Sequence, residues 1–251
     1  MRTKLLLAAI VVFLSVSLLA AETIDLGAAE KQLNVEVLES NDQRTVVKFD
    51  IGSFEQETVN INGEQYFKLR LGEESFLINA AEPELPRVCR SIIIPDDAKM
   101  QINIISSEYS DFENYLVVPS KGNILRNVNP EDVPYEFGEV YGTDAFYPGE
   151  LAEIRDPFIL RDFRGTTIEL NAFQYNPVKE RLRVYTSVTV EIVNTGLGTI
   201  NVLQNADRTK IVDDFKQIYS RRFINYEFET DKYTMLTEAG DLLIICYDAF
   251  M

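Results

Sequence analysis

The chain has 251 residues, no histidine and a formal net charge of −16 at pH 7. The missing histidine excludes a Ser–His or Cys–His pair within the chain, and it nearly excludes an ordinary zinc site, for which only Cys89 and Cys246 could stand in. The negative charge argues against nucleic acid and anionic membranes, which need basic patches, while 46% hydrophobic residues with 12 Tyr and 15 Phe suffice for a packed core.

Arg2 and Lys4 precede an apolar run of 17 residues, Leu5 to Ala21, closed by Glu22. That order of parts is a secretory leader. Ala20 and Ala21 supply small residues for a cut after Ala21, although Leu18 and Leu19 stand where a second small residue is usual. A retained anchor is the rival reading, but a spanning helix needs about 20 apolar residues. The expectation is an exported chain, periplasmic or extracellular, with no membrane attachment once residues 1–21 are removed.

Short strand patterns follow. Leu33–Leu38 alternates apolar and polar, and Thr45–Ile51 and Thr58–Ile61 continue the series. Asn62-Gly63 is a two-residue hairpin signal, and Glu64–Leu71 returns with Phe67, Leu69 and Leu71 on one face. Ile92–Ile94, Gln101–Ile105 and Tyr115–Val118 come next, punctuated by prolines. This spacing predicts a mainly β, antiparallel β-sandwich of jelly-roll type over residues 22–204. Cys89 and Cys246 both fall in strand patterns, so each reads as a small buried apolar residue rather than half of a disulfide.

Residues 119–165 carry five prolines and five glycines and few clean periods. Long irregular segments are uncommon unless functional or disordered. Their aromatic residues favour an ordered segment that covers either the sandwich core or a partner. Thr166–Phe173 then alternates, Gln174–Glu180 reads as a turn, and Arg181–Val193 alternates with Leu182, Val184, Thr186, Val188, Val190 and Ile192 on one face. Together they predict a long hairpin with one buried side.

The period then changes. Ile211, Phe215, Ile218 and Arg222 share one line of a helix over Ala206–Asn225, which Asn205 or Asp207 would cap and Arg221 and Arg222 would close. A polar stretch, Glu227–Gly240, makes 205–239 a helix and linker. Leu242–Cys246 is a continuous apolar run, as in strands buried on both faces of parallel α/β sheets. Residues 240–251 therefore read as a second domain begun and not finished.

The segment Glu169–Glu191, ELNAFQYNPVKERLRVYTSVTVE, resembles the "PFQYNP…K.LRVYT…VEV" signature in the propeptide of gingipain-type cysteine peptidases, with Ala172 where that family often has proline. The order of parts over residues 23–251 is similar as well: leader, β-sandwich, helical link, polar junction and first strand of a caspase-like catalytic domain. The resemblance implies an inhibitory and folding-assisting propeptide of a secreted endopeptidase, whose partners are the cognate catalytic domain and the secretion machinery. It also implies that the chain is no enzyme by itself and that nothing in it matches the family's catalytic residues.

Inhibition in that family places a basic side chain of a prodomain loop in the specificity pocket. The basic residues of the irregular region are Lys121, Arg126, Arg155, Arg161 and Arg164, among which Arg126 and Arg155 are preferred. Lys232–Glu238 resembles the processing junction. A cut after Lys232 is preferred to one after Arg222, whose helix resists threading into a protease.

Three other readings remain. The first is a free-standing binding module for carbohydrate or protein, with Tyr135, Tyr141 and Tyr147 as stacking platforms; the missing tryptophan weakens it. The second is a structural secreted protein, which leaves Leu242–Cys246 unexplained. The third is a fragment of a full protease. The 40 acidic residues show no organised glycosidase pair and no D-x-D-x-D-G loop, so no metal or cofactor is expected, calcium being permitted but unsupported.

Overall fold

A computed structural model of the chain describes residues 21–204, 210–228 and 234–236. The first strands are β1 (Glu22–Asp25), β2 (Leu33–Ser40), β3 (Arg44–Ile51), β4 (Ser53–Ile61) and β5 (Glu64–Arg70). Asn62 and Gly63 join β4 to β5 with φ of 54° and 93°. Positive φ at both central residues is the turn whose twist matches the flanking strands, so the Asn-Gly signal is realised. The chain continues through β6 (Ser75–Phe76), β7 (Pro86–Ile93) and β8 (Ala98–Phe112). After the irregular segment come β9 (Ala152–Ile154), β10 (Phe158–Leu160), β11 (Phe163–Leu170), β12 (Phe173–Asn176) and β13 (Arg181–Leu197).

These strands form three antiparallel sheets. One is β1-β4-β5; another is β10-β11-β7-β6, with β9 also on β11; the third is β12-β13-β3-β2, with β8 on β13. β8 follows β13 from Leu182↔Phe112 to Leu197↔Ala98, so β12 and β3 share the opposite edge of β13. The predicted face of β13 is the core face: Leu182, Val184, Val188, Val190 and Ile192 are 0–1% exposed. They meet Val47, Phe49 and Ile51 of β3, Val88 and Ile92 of β7, and Ile168 and Leu170 of β11 in one continuous core. Phe54 of β4 joins them, edge-on to Phe112 and Phe173 with centroids 5.9 and 5.4 Å away.

Three local expectations are corrected. Thr166–Phe173 is not one arm of a long hairpin. β11 pairs with β7, whereas β12 opens the hairpin with β13, and the chain passes between sheets at Asn171–Ala172. The turn reduces to Pro177–Glu180, because Gln174–Asn176 belongs to β12. Cys89 is only half-buried, on the face of β7 away from Val88 and Ile92.

The helical segment is shorter than its period suggested. Lys210–Val212 is a strand, β14, and the helix α1 spans Asp213–Arg222. The last strand, β15 (Thr234–Leu236), pairs with β14 in parallel. α1 packs on the sandwich through Tyr219, and Phe223 follows directly after the helix; both join Ile93, Phe163 and Tyr226 in a second cluster. Gly165 permits this contact: a Cβ there would lie 2.5 Å from the Phe223 ring and 2.9 Å from the Ile92 carbonyl oxygen. Asn205, Asp207, Cys246 and the run Leu242–Cys246 lie outside the described residues, as does most of the leader.

Candidate functional site

The irregular segment between β8 and β9 is tied to the sandwich at both ends. At its start, the Ser120 N–H donates to the Glu82 carbonyl at 2.7 Å, and Ser120 returns its own carbonyl to Ala81 N–H at 2.9 Å. At its end, three buried polar side chains of the signature segment act as clamps. Asn171 Nδ2 donates to the Glu150 carbonyl at 2.9 Å, Gln174 Nε2 to the Pro148 carbonyl at 2.9 Å, and Asn176 Nδ2 to Asp144 Oδ1 at 2.9 Å. A polar group buried at 2–6% exposure must find such partners. The signature thus has a physical reason: it holds the loop.

Between these ties three tyrosines turn inward. The Tyr141 hydroxyl donates to the Val117 carbonyl at 2.9 Å and the Tyr147 hydroxyl to Glu82 Oε2 at 2.7 Å. Burial pushes both hydroxyls well above the ordinary phenol range, Glu82 adding to the effect at Tyr147. The ring of Tyr135 is covered by Lys121 Nζ, 4.2 Å from its centroid. None of the three is an open stacking platform, which removes the structural motive for a carbohydrate module.

The tip is different. Lys121 Nζ donates to the Pro130 carbonyl at 2.8 Å, closing a loop whose crown is a β-turn from Leu125 to Val128, with Val128 N–H donating to the Leu125 carbonyl at 3.0 Å. Asn129 Oδ1 accepts from Glu131 N–H and caps the short 3₁₀ turn Pro130–Asp132. Arg126 takes the second place of the β-turn. It is exposed beside Leu125, itself 69% exposed, and no ion pair holds it among the described residues.

The other basic residues are engaged. Arg155 lies just past β9, its N–H donating to the Thr167 carbonyl at 2.9 Å and its side chain ion-paired with Glu169. Arg161 lies over the Phe215 ring, 4.0 Å from its centroid. Arg164 is 1% exposed, and its guanidinium donates to the carbonyls of Pro95, Ala98, Ile200 and Asn201 at 2.8–2.9 Å. It belongs to the frame and cannot reach a partner's pocket, so it leaves the list of candidates.

Of the residues expected at cleavage points, Ala21 is exposed and directly precedes β1. Arg222 is exposed on the last turn of α1, flanked by the buried Tyr219 and Phe223. Lys232 lies outside the described residues. Sequence reasoning missed Asn225, which is fully buried and bonds both polar groups of Ile93; its only signal is a polar residue between Ile224 and Tyr226. Among the described residues no group of three or more His, Cys, Asp or Glu could hold a metal ion, and no helix is long and apolar enough to cross a membrane.

Comparison with known proteins matches residues 28–234 to the family Propeptide_C25. Gingipain R1 of Porphyromonas gingivalis is 38% identical over 165 residues, covering 65% of this chain and 16% of that protein. Gingipain R2 of the same species (strain ATCC BAA-308 / W83) is 38% identical over 168 residues, covering 65% of this chain and 22% of that protein. The chain therefore spans 16–22% of the length of these curated relatives. A solved complex of P. gingivalis RgpB pro- and mature domains superposes with a TM-score of 0.71 at 31% identity, over 77% of this chain and 97% of that one. A structure of gingipain K, concerned with its zymogenic latency, shares the fold with a TM-score of 0.60 at 18% identity, over 70% of this chain and 100% of that one.

Proposed function

The chain belongs to the Propeptide_C25 family, and on that premise we propose that it is the propeptide of a secreted, gingipain-like cysteine endopeptidase, which it keeps inactive and helps to fold. The observation that carries the inhibitory role is Arg126, a cation at the second place of a closed, exposed turn and without an ion pair among the described residues. A basic side chain so presented suits the specificity pocket of an enzyme that cuts after basic residues. The hydrogen-bonded turn keeps the neighbouring backbone from the extended form a scissile segment needs. Ties at Ser120, Lys121 and Asn171–Asn176 reduce the ordering cost of binding. Tethering through the linker adds a high effective concentration, so modest intrinsic affinity suffices.

On this reading residues 1–21 are the leader, cut after Ala21 by the export machinery, and β1 becomes the new N-terminus. Residues 22–204 are the inhibitory sandwich, 205–239 carry the helix and the processed junction, and 240–251 open the catalytic domain. Release follows a cut after Lys232. The RgpB complex of pro- and mature domains supports the catalytic domain as the partner. On this reading the catalytic groups belong to the catalytic domain, and the propeptide's work calls for no cofactor or metal.

The test is to titrate the chain against a mature gingipain-type peptidase turning over a small arginyl or lysyl substrate. Stoichiometric, competitive inhibition is expected. Full activity at a large excess of the chain would sink the inhibitory reading.

A further inference from the structure

Arg126 does not stand alone on the crown of its loop. The turn closes Val128 on Leu125, the Val128 N–H donating to the Leu125 carbonyl at 3.0 Å. The first and last Cα atoms of such a turn lie within about 7 Å of each other. Leu125 is 69% and Val128 38% exposed. Tyr141 and Tyr147 of the same segment are drawn inward by their hydroxyl bonds. The crown does the opposite and holds two neighbouring aliphatic side chains in water on either side of a cation.

Below the crown the apolar surface continues. Ile124 and Pro130 line a groove of about 620 Å³ at the foot of the loop, and Ile78, 56% exposed, lines it too. A guanidinium enters a pocket only when the turn that carries it comes down on the pocket's mouth, so Leu125 and Val128 are pressed against the rim. A polar rim would lose its water to these side chains and gain no hydrogen bond in return. An apolar rim gains from the same contact. It also keeps water from the ion pair inside, as the neutral ring around a buried interface anchor does.

We propose that Leu125 and Val128 form an apolar shoulder that seats on an apolar rim of the cognate peptidase's specificity pocket and seals the Arg126 ion pair from water. This rests on the inhibitory reading of Arg126 and adds to it the chemistry of the partner's surface: a carboxylate at the bottom of the pocket and aliphatic or aromatic side chains at its mouth.

A mature gingipain-type peptidase turning over a small arginyl substrate is titrated with the full chain and with its variants Leu125→Asn, Leu125→Met, Leu38→Asn and Arg126→Ala. Leu125→Asn, at an exposed position, is expected to raise the inhibition constant at least tenfold with the thermal unfolding midpoint unchanged. Leu125→Met should stay within threefold of the parent. Leu38→Asn removes another exposed leucine, from β2 in a different sheet, and should also stay within threefold. If Leu125→Asn inhibits as well as the parent while Arg126→Ala does not inhibit, the shoulder is wrong and the inhibitory reading stands. If Arg126→Ala is as potent as the parent, both are wrong. An equal loss in Leu38→Asn and Leu125→Asn would assign the effect to apolar surface in general and overturn the shoulder.

Discussion

Asn225 grips Ile93 as a neighbouring strand would: its Oδ1 accepts the Ile93 N–H at 2.7 Å, and its Nδ2 donates to the Ile93 carbonyl at 3.0 Å. The same Nδ2 reaches Ser40 Oγ at 3.0 Å, and the Ile224 N–H donates to the Ser91 carbonyl at 3.0 Å. One amide side chain thus finishes the edge of β7 and docks the segment that follows α1. The exit towards the proposed processing junction starts from a fixed point. The four residues from Phe228 to Lys232 then reach at most about 14 Å.

Replacing Asn225 with Leu keeps the volume but orphans both polar groups of Ile93. Each buried, unsatisfied group costs about 1–3 kcal/mol, so a loss of roughly 2–5 kcal/mol is expected. Urea unfolding followed by tyrosine fluorescence measures it, as the chain has no tryptophan. An unchanged midpoint would show that the clasp contributes nothing.

Arg126→Ala separates inhibition from folding. The side chain is exposed and without an ion pair among the described residues, so stability should stay within about 0.5 kcal/mol of the parent. The inhibition constant against a gingipain-type peptidase is expected to rise at least a hundredfold. Arg155→Ala should change it less than threefold. Similar losses for the two variants would remove Arg126 from its assigned role.

The strands were legible where one face is buried and the other wet. β13 alternates over its core-facing length because its outer face is only partly covered, and the Asn62-Gly63 turn has its own chemistry. The crossing from β11 to β12 was not legible, because the apolar alternation Ile168, Leu170, Ala172 runs on across it, and a single Asn171 without Gly or Pro beside it is a weak turn signal. The start of α1 was misplaced for another reason: the partner of β14 is β15, more than twenty residues later, and a local period does not register distant pairing. Arg164 stood among the candidate inhibitory residues since its carbonyl partners come from Pro95–Ala98 and Ile200–Asn201, far away in sequence. Arg126 itself was legible only as one basic residue among several. What distinguishes it is that the others have partners.

That saturation makes Arg164 sensitive. Arg164→Met would leave several buried carbonyls without donors while filling similar space. A loss of about 3 kcal/mol or more is expected, in line with breaking other buried charged networks. Arg155→Met, on an exposed side chain, should cost far less. Comparable urea midpoints for the two variants would contradict the buried network.

Alkaline pH should unfold the chain. Burial raises the hydroxyls of Tyr141, Tyr147, Tyr175 and Tyr219 above their ordinary value, with Asp162 and Glu82 adding to it at Tyr219 and Tyr147. A raised folded pKa means that these groups contribute fully below the unfolded value of about 10 and lose their contribution as pH rises through the folded values. Stability should therefore hold up to about pH 10 and fall above it. The tyrosinate absorbance of these four buried phenols should rise as a separate step, together with loss of the near-ultraviolet circular dichroism, behind that of exposed tyrosines such as Tyr109. Tyrosinate absorbance from all the phenols complete before unfolding would mean that these four are open to solvent.

The clasp and the junction make a joint prediction about where a trypsin-like protease cuts. A protease must draw several residues on each side of the bond into extended form. At Arg222 this means opening the last turn of α1 and lifting Phe223, 1% exposed, from Gly165 and Phe163. Such a cut waits on local unfolding. Limited digestion of the parent chain should therefore give a new N-terminus at Tyr233, and Lys232→Gln should suppress it. In Asn225→Leu the anchor beyond the helix is lost, local opening becomes cheaper, and a second N-terminus at Phe223 should appear. If the parent chain is cut after Arg222 as quickly as after Lys232, α1 is not held by the sandwich, and the fixed exit inferred from Asn225 and Ile93 is wrong.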